Sequence, residues 1–176
     1  MRRCEMSSFI DRIIRAAKLD VNLYEEVEVD KKALGQATGV VIVSGIAAGL
    51  GSVARVGFSG FLVGTVAALI GWYIWAYLTY FIGTKFLPES QTQADLGELL
   101  RTIGFSSSPG LIRVFGIIPG LARPVFLIAS IWMLAAMVIA VKCALDYKST
   151  LRAVGVCVIG WFIQILILGL LFSILK

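Results

Sequence analysis

Apolar positions in this chain gather into runs of roughly twenty residues, divided by short polar stretches. The first run is ALGQATGVVIVSGIAAGLGSVA, 33–54, and the second is FSGFLVGTVAALIGWYIWAYLTYFIG, 58–83. The fourth covers 121–142, LARPVFLIASIWMLAAMVIAVK, and the fifth covers 153–175, AVGVCVIGWFIQILILGLLFSIL. A run of about twenty residues is what an α-helix needs to cross a hydrocarbon core of about 30 Å. The runs are continuous rather than alternating, which excludes a β-barrel. Lipid is then the solvent, and each backbone polar group must be paired inside the protein, which helices achieve locally.

The third run, FSSSPGLIRVFGIIPGLARP from Phe105 to Pro124, is apolar but broken by Pro109, Gly110, Gly116, Pro119 and Gly120. It predicts a short span with an irregular start. Before it, 85–104 reads as a polar connection: Pro88 stops the preceding helix, and Leu96, Leu99, Leu100 and Ile103 form a short amphipathic stretch. Arg55 and Gly57 mark a tight turn between the first two spans. The predicted fold is all-α: a polytopic membrane helix bundle of five transmembrane segments with a short broken third span, preceded by an N-terminal amphipathic helix.

That helix falls within SSFIDRIIRAAK, 7–18. Phe9, Ile10, Ile13, Ile14 and Ala17 recur at helical spacing on one face; Asp11, Arg12, Arg15 and Lys18 take the other; Ser7 or Ser8 caps the start. With Arg2 and Arg3 it suits an anionic membrane surface; the alternative is packing on the protein's own bundle. Glu25, Glu26, Glu28 and Asp30 follow, an acidic run that reads more readily as a solvated surface than as a partner site, and Asp30 is placed to cap the first span. The expected division is a cytoplasmic tail, 1–32, and a five-span domain, 33–176.

Composition agrees: 59% of residues are hydrophobic and 15% charged, with mean hydropathy +0.90, whereas a soluble domain is nearer half and a quarter. The net charge of +5 marks membrane edges rather than nucleic-acid binding, since no basic patch is interleaved with aromatics. With the N-terminus inside, the inner segments hold twelve Lys/Arg (seven in the tail, Lys85, Arg101, Lys142, Lys148, Arg152) and the outer ones three (Arg55, Arg123, Lys176). This asymmetry predicts a cytoplasmic N-terminus and an outer C-terminus in the cell (inner) membrane. Trp72, Tyr73, Trp75, Tyr77 and Tyr80 put the second half of the second span near an interface.

Reactive groups are scarce. There is no histidine, the five runs contain no Asp or Glu, and Cys4, Cys143 and Cys157 form no CxxC pair. Histidine-ligated haem or zinc, Ser-His hydrolysis and intramembrane aspartyl chemistry are thereby excluded. No catalytic, metal or cofactor site is expected. Arg113, inside the third run, is the intramembrane polar candidate. It either snorkels to water, pairs with Asp95, Glu98 or carbonyls freed around Pro109 and Pro119, or heads a polar cavity that holds an anion such as a lipid headgroup. Glycines four apart, including Gly45/Gly49 and Gly60/Gly64, offer close helix packing, within the chain or in a homo-oligomer.

The tail phrase AAKLDVNLYEEVEVDKKALGQA, Ala16 to Ala37, and LLRTIGFSSSPGLI, Leu99 to Ile112, set before and among five spans, resemble prokaryotic members of the Yip domain (Ypt/Rab-interacting) family. The resemblance implies a non-enzymatic membrane protein. Eukaryotic members are linked to vesicle traffic, Rab-type GTPases and membrane shaping, but have longer cytosolic tails, so GTPase binding does not carry over. The expected function is a scaffold, assembly or membrane-organising role with lipids, anionic ones among them, as partners. The alternatives are a small transporter or channel using the broken third span, and an accessory subunit of a larger membrane complex.

Overall fold

The computed structural model describes residues 8–174, with side chains described outside 53–56, 58–63, 165 and 167–174. The first helices among the described residues are two short ones, α1 (Phe9–Ala17) and α2 (Val21–Val29). The Ser8 side chain accepts the Asp11 N–H and that of Asp20 accepts the Asn22 N–H, each satisfying a donor that the first turn leaves unpaired. The long helix α3 (Ala33–Phe81) is a hairpin: Gly57, at φ 68° and ψ −176°, breaks it in a region open essentially only to glycine. Its limbs fold back on each other, so that a Cβ on Gly45 would stand 3.7 Å from Ala68 and Thr65.

The second limb ends in a π-helical turn, Ile82–Phe86, before Pro88. Its end carbonyls are not left open. The Tyr147 hydroxyl shares its one proton between the Gly83 carbonyl at 2.9 Å and the Leu87 carbonyl at 2.7 Å. Then come α4 (Leu96–Phe105), a 3₁₀ segment (Ser108–Ile117), α5 (Ala122–Ala144) and α6 (Thr150–Ile174). Three stretches among the described residues are long and apolar enough to cross a membrane: Ala33–Ser52, Gly64–Phe86 and Ala122–Ala144; Thr150–Gln164 is a shorter apolar one.

Within the segment expected to be a polar connection, the amphipathic stretch at Leu96, Leu99, Leu100 and Ile103 is a helix whose second half is buried on all sides. Asp95 and Glu98 form a capping box at its start, and every residue from Leu99 to Phe105 is buried. The third apolar run then continues as 3₁₀ helix alongside the first limb of α3. Cβ atoms on Gly104, Gly110 and Gly116 would meet Ala37, Ser44 and Gly51 in turn, so the two elements run parallel. Partners advance by six residues on one element and seven on the other. Six residues make two turns of a 3₁₀ helix, with a rise of about 12 Å; seven make nearly two turns of an α-helix, about 10.5 Å. The small residues thus stay face to face along the contact.

Two cores result. One joins the tail to the bundle: Ala16, Leu23, Tyr24 and Val27 pack with Ala37, Val40, Phe105 and Ala140, so the packing is continuous across the expected boundary at residue 32. The other joins the second limb, α4, the end of α5 and α6 through Trp75, Ile82, Leu99, Leu145 and Val156.

Candidate functional site

The charged residues of the tail build its attachment. Arg12 is only 7% exposed, facing inward rather than lying on the outer basic face that periodicity suggested. Its Nη2 lies 2.8 Å from Glu26 and 3.0 Å from Asp30, and its Nη1 donates to Gln36 on α3 at 2.8 Å. Arg15 pairs with Asp20 at 2.8 Å and Glu26 at 2.7 Å. The hydrogen bond from Arg15 holds the Asp20 carboxyl below its ordinary range. The acidic run is therefore engaged with α1 at Glu26 and Asp30, not simply solvated. Phe9 and Ile13 pack inward with Arg12, while Ile10 and Ile14 face outward at 67% and 47% exposure. Arg2 and Arg3 lie outside the described residues, and Lys18 is exposed at the α1 C-terminus.

Sequence reasoning missed Arg101. Its guanidinium is buried in α4; Nε donates to the Val27 carbonyl at 2.9 Å, and Nη2 also bonds the Glu28 carbonyl. These are among the last carbonyls of α2, which have no helical partner and carry the negative end of the helix dipole. The nearby Glu28 side chain has its pKa pushed up to about 7, first by burial and then by Asp146, Glu98 and Glu25, against the opposing pull of Arg101.

At the other end of the bundle lies a cavity of about 1490 Å³. All the long helices and the 3₁₀ segment contribute to its wall. The lining is chiefly apolar, with Gly45, Gly49 and Gly64 among it. A Cβ on Gly64 or Gly71 would meet nothing within 4 Å, so both present bare backbone to open space. Of the glycines expected to pack helices, Gly45 lies against the second limb, Gly49 and Gly64 line the void, and the surroundings of Gly60 fall outside the description.

Arg113 reaches this cavity from the 3₁₀ segment. Its carbonyl abuts Gly51, six residues before the hairpin turn, or about 9 Å along an α-helix. Asp95 and Glu98 are not its partners, because they cap α4 at that segment's far end. Arg113 Nη2 makes a 3.3 Å bond to the Ser130 hydroxyl, and the guanidinium carbon lies 5.6 Å from the centre of the Phe126 ring. Arg113 Nε is buried with no hydrogen-bond partner among the described residues, as is Trp75 Nε1, which lines the same cavity. An arginine at the centre of a spanning helix costs about 2.5–3.5 kcal/mol to insert, and a buried donor left unpaired adds about 1–3 kcal/mol. The cavity thus combines apolar walls with an under-satisfied cation.

Among the described residues, no cluster of three or more Cys, Asp or Glu side chains is placed to hold a metal ion. A family model described as the Yip1 domain matches residues 24–171. No curated protein and no solved structure matches the chain.

Proposed function

The chain belongs to the Yip1 domain family, and on that premise we propose that it is a prokaryotic, non-enzymatic scaffold or membrane-organising protein. The observation that carries this reading is where its charged side chains are used. Arg12, Arg15 and Arg101 are bonded to the protein's own carboxylates and carbonyls, fastening the tail helices to an apolar bundle. The outcome is a rigid membrane body, with apolar side chains such as Leu127, Ile131 and Phe162 facing outward.

The proposed topology has five crossings, with the 3₁₀ segment as the third, the N-terminus cytoplasmic and the C-terminus outside. Two observations support it: the twelve-to-three charge division, and the parallel course of the 3₁₀ segment beside the first limb. The tail lies flush with the bundle, and Ile10 and Ile14 are offered to the cytoplasmic leaflet.

A tag fused after Lys176 tests both parts. A reporter at that position should be active only outside the membrane, and activity in the cytoplasm would overturn the topology. The same tag allows recovery in mild detergent. Defined protein partners or a homogeneous homo-oligomer support an organising role. A solitary monomer, recovered without partners from native membranes, would count against it.

A further inference from the structure

We propose that the cavity headed by Arg113 is a binding site for one anionic phospholipid, its phosphate held by Arg113 and its acyl chain lying along the bare glycine backbone. Four observations converge. First, the five apolar runs contain no carboxylate, so the protein supplies no acid at membrane depth for this guanidinium, and its anion must come from outside the chain. Second, among the described residues the polar contacts of Arg113 are incomplete: Nη2 reaches Ser130 at 3.3 Å, and Nε has no partner. An arginine fork matches a phosphate with two parallel donors, and Nε and Nη2 make up one edge of such a fork. Ser130 beside it orients the guanidinium, accepting from Nη2 while its own proton goes to the Phe126 carbonyl at 2.7 Å, so the donors for the phosphate come from Arg113.

Third, the dimensions suit a lipid. The cavity exceeds the roughly 300–1,000 Å³ of drug-sized pockets, measuring about 1490 Å³. On the first limb its wall runs from Ser52 to Val41, eleven residues, or about 17 Å of helix. Half of a hydrocarbon core is about 15 Å, so the space accepts a chain of one leaflet and not a path across both. Fourth, the charge stands at the right end. Arg113, with Ser52 and Ser130, stands toward the hairpin turn, while the deeper part carries no charge and is lined by Val41, Ile103 and Met137, with Ser44, Ser107 and Trp75 as its polar side chains. A lipid entering head toward the turn and tail toward the interior lies as lipids in that leaflet already lie. The five-crossing reading serves only to name the leaflet as the outer one; the site itself stands apart from it.

The test uses the full chain in nanodiscs of equal parts phosphatidylglycerol and phosphatidylcholine, released into mild detergent and weighed by native mass spectrometry. Wild-type protein should retain one phosphatidylglycerol per chain, at least about tenfold over phosphatidylcholine. Arg113→Gln should abolish the preference. Gly71→Leu, which fills open space without touching the headgroup, should abolish retention while the protein keeps its thermal unfolding midpoint in lipid-free detergent. Retention of the two lipids in bilayer proportion by the wild type would overturn the proposal, as would an undiminished preference in Arg113→Gln or full retention in Gly71→Leu. Displacement of the lipid by inorganic phosphate alone would also overturn it, by assigning the site to a free anion. Because no output depends on the side on which either terminus lies, failure here is distinguishable from failure of the topology.

Discussion

Arg101 and Arg113 stand twelve residues apart along the chain, the first buried and the second half-buried, and their surroundings differ in almost every respect. Arg101 lies on α4 at the tail end of the bundle, under the last turn of α2, with two carbonyls converging on its guanidinium. Arg113 lies on the 3₁₀ segment at the turn end, with one long bond to a serine and an unpaired Nε. Each is an arginine withdrawn from water, so the cost of stripping its hydration is shared. What differs is the return. At the tail end the cation completes a helix terminus and locks two helices together; at the turn end the corresponding interactions are left to be made by something else.

The largest effect is therefore expected at Arg101. Replacing it by Leu leaves the Val27 and Glu28 carbonyls without their donor and frees α2 from α4. Loss of charged hydrogen bonds in a buried setting costs about 2–4 kcal/mol. The tail should come away before the bundle unfolds, since Leu23, Tyr24 and Val27 bury their side chains only against that end. Hydrogen exchange over 20–30 should speed up by more than about tenfold while exchange in α5 changes little. Unaltered protection of α2 would show that the apolar packing alone holds it. Arg101→Lys should restore only part, because a lysine lacks the fork that reaches both carbonyls.

The sequence displayed the parts of this fold that lipid dictates. The apolar runs became α3, α5 and α6 because a backbone in hydrocarbon has no other way to pair its polar groups, and Gly57 marked the turn because the required φ excludes other residues. The rest was hidden for specific physical reasons. Arg101 makes 85–104 look solvent-facing, and its partners are carbonyls 73 and 74 residues earlier in the chain, which no local pattern announces. Arg12 sits among isoleucines on an amphipathic helix, and periodicity cannot show that acids on the next helix draw it inward. Glycines four apart have the spacing of α-helical faces; the contacts fall at Gly104, Gly110 and Gly116, six apart, because the segment is largely 3₁₀. The cavity was half legible: Arg113 stood out as a lone charge, but a glycine facing a void and a glycine in tight contact are the same letter.

A smaller effect, tied to pH, sharpens the picture of the tail end. The Glu28 carboxyl has a pKa raised to about 7 from an ordinary 4.5, chiefly by burial, with Asp146, Glu98 and Glu25 adding repulsion and Arg101 opposing it. A carboxyl that is harder to ionise in the folded protein than in the unfolded chain favours folding in its protonated form. Its contribution is full below about 4.5 and declines as pH rises through about 7. Asp20 and Asp30 have lowered pKa values and act in the opposite sense, but in acid, below their ordinary 3.8. Between pH 5 and 8, roughly, Glu28 should thus dominate. Protection of α2 should fall over that interval in the wild type and stay level in Glu28→Gln. An equal pH slope in both proteins would remove Glu28 as the cause.

The smallest effect on stability is expected at Arg113, and it is the outcome that most directly opposes the two arginines. Arg113→Leu removes a cation with few partners and puts apolar volume beside Phe126 and the cavity. The loss of one long bond to a neutral hydroxyl is worth no more than about 1 kcal/mol, and relief from burying an incompletely bonded charge is of at least that size. In lipid-free detergent the variant should therefore unfold at the same temperature as the wild type or slightly higher. Adding phosphatidylglycerol should then separate them: a ligand that binds only the folded state raises the wild-type midpoint by an amount that grows with the logarithm of its free concentration over Kd, and Arg113→Leu should not respond. A loss of several kcal/mol in lipid-free detergent would mean that the guanidinium is as fully satisfied by the protein as that of Arg101, and the contrast between the two ends of the bundle would collapse.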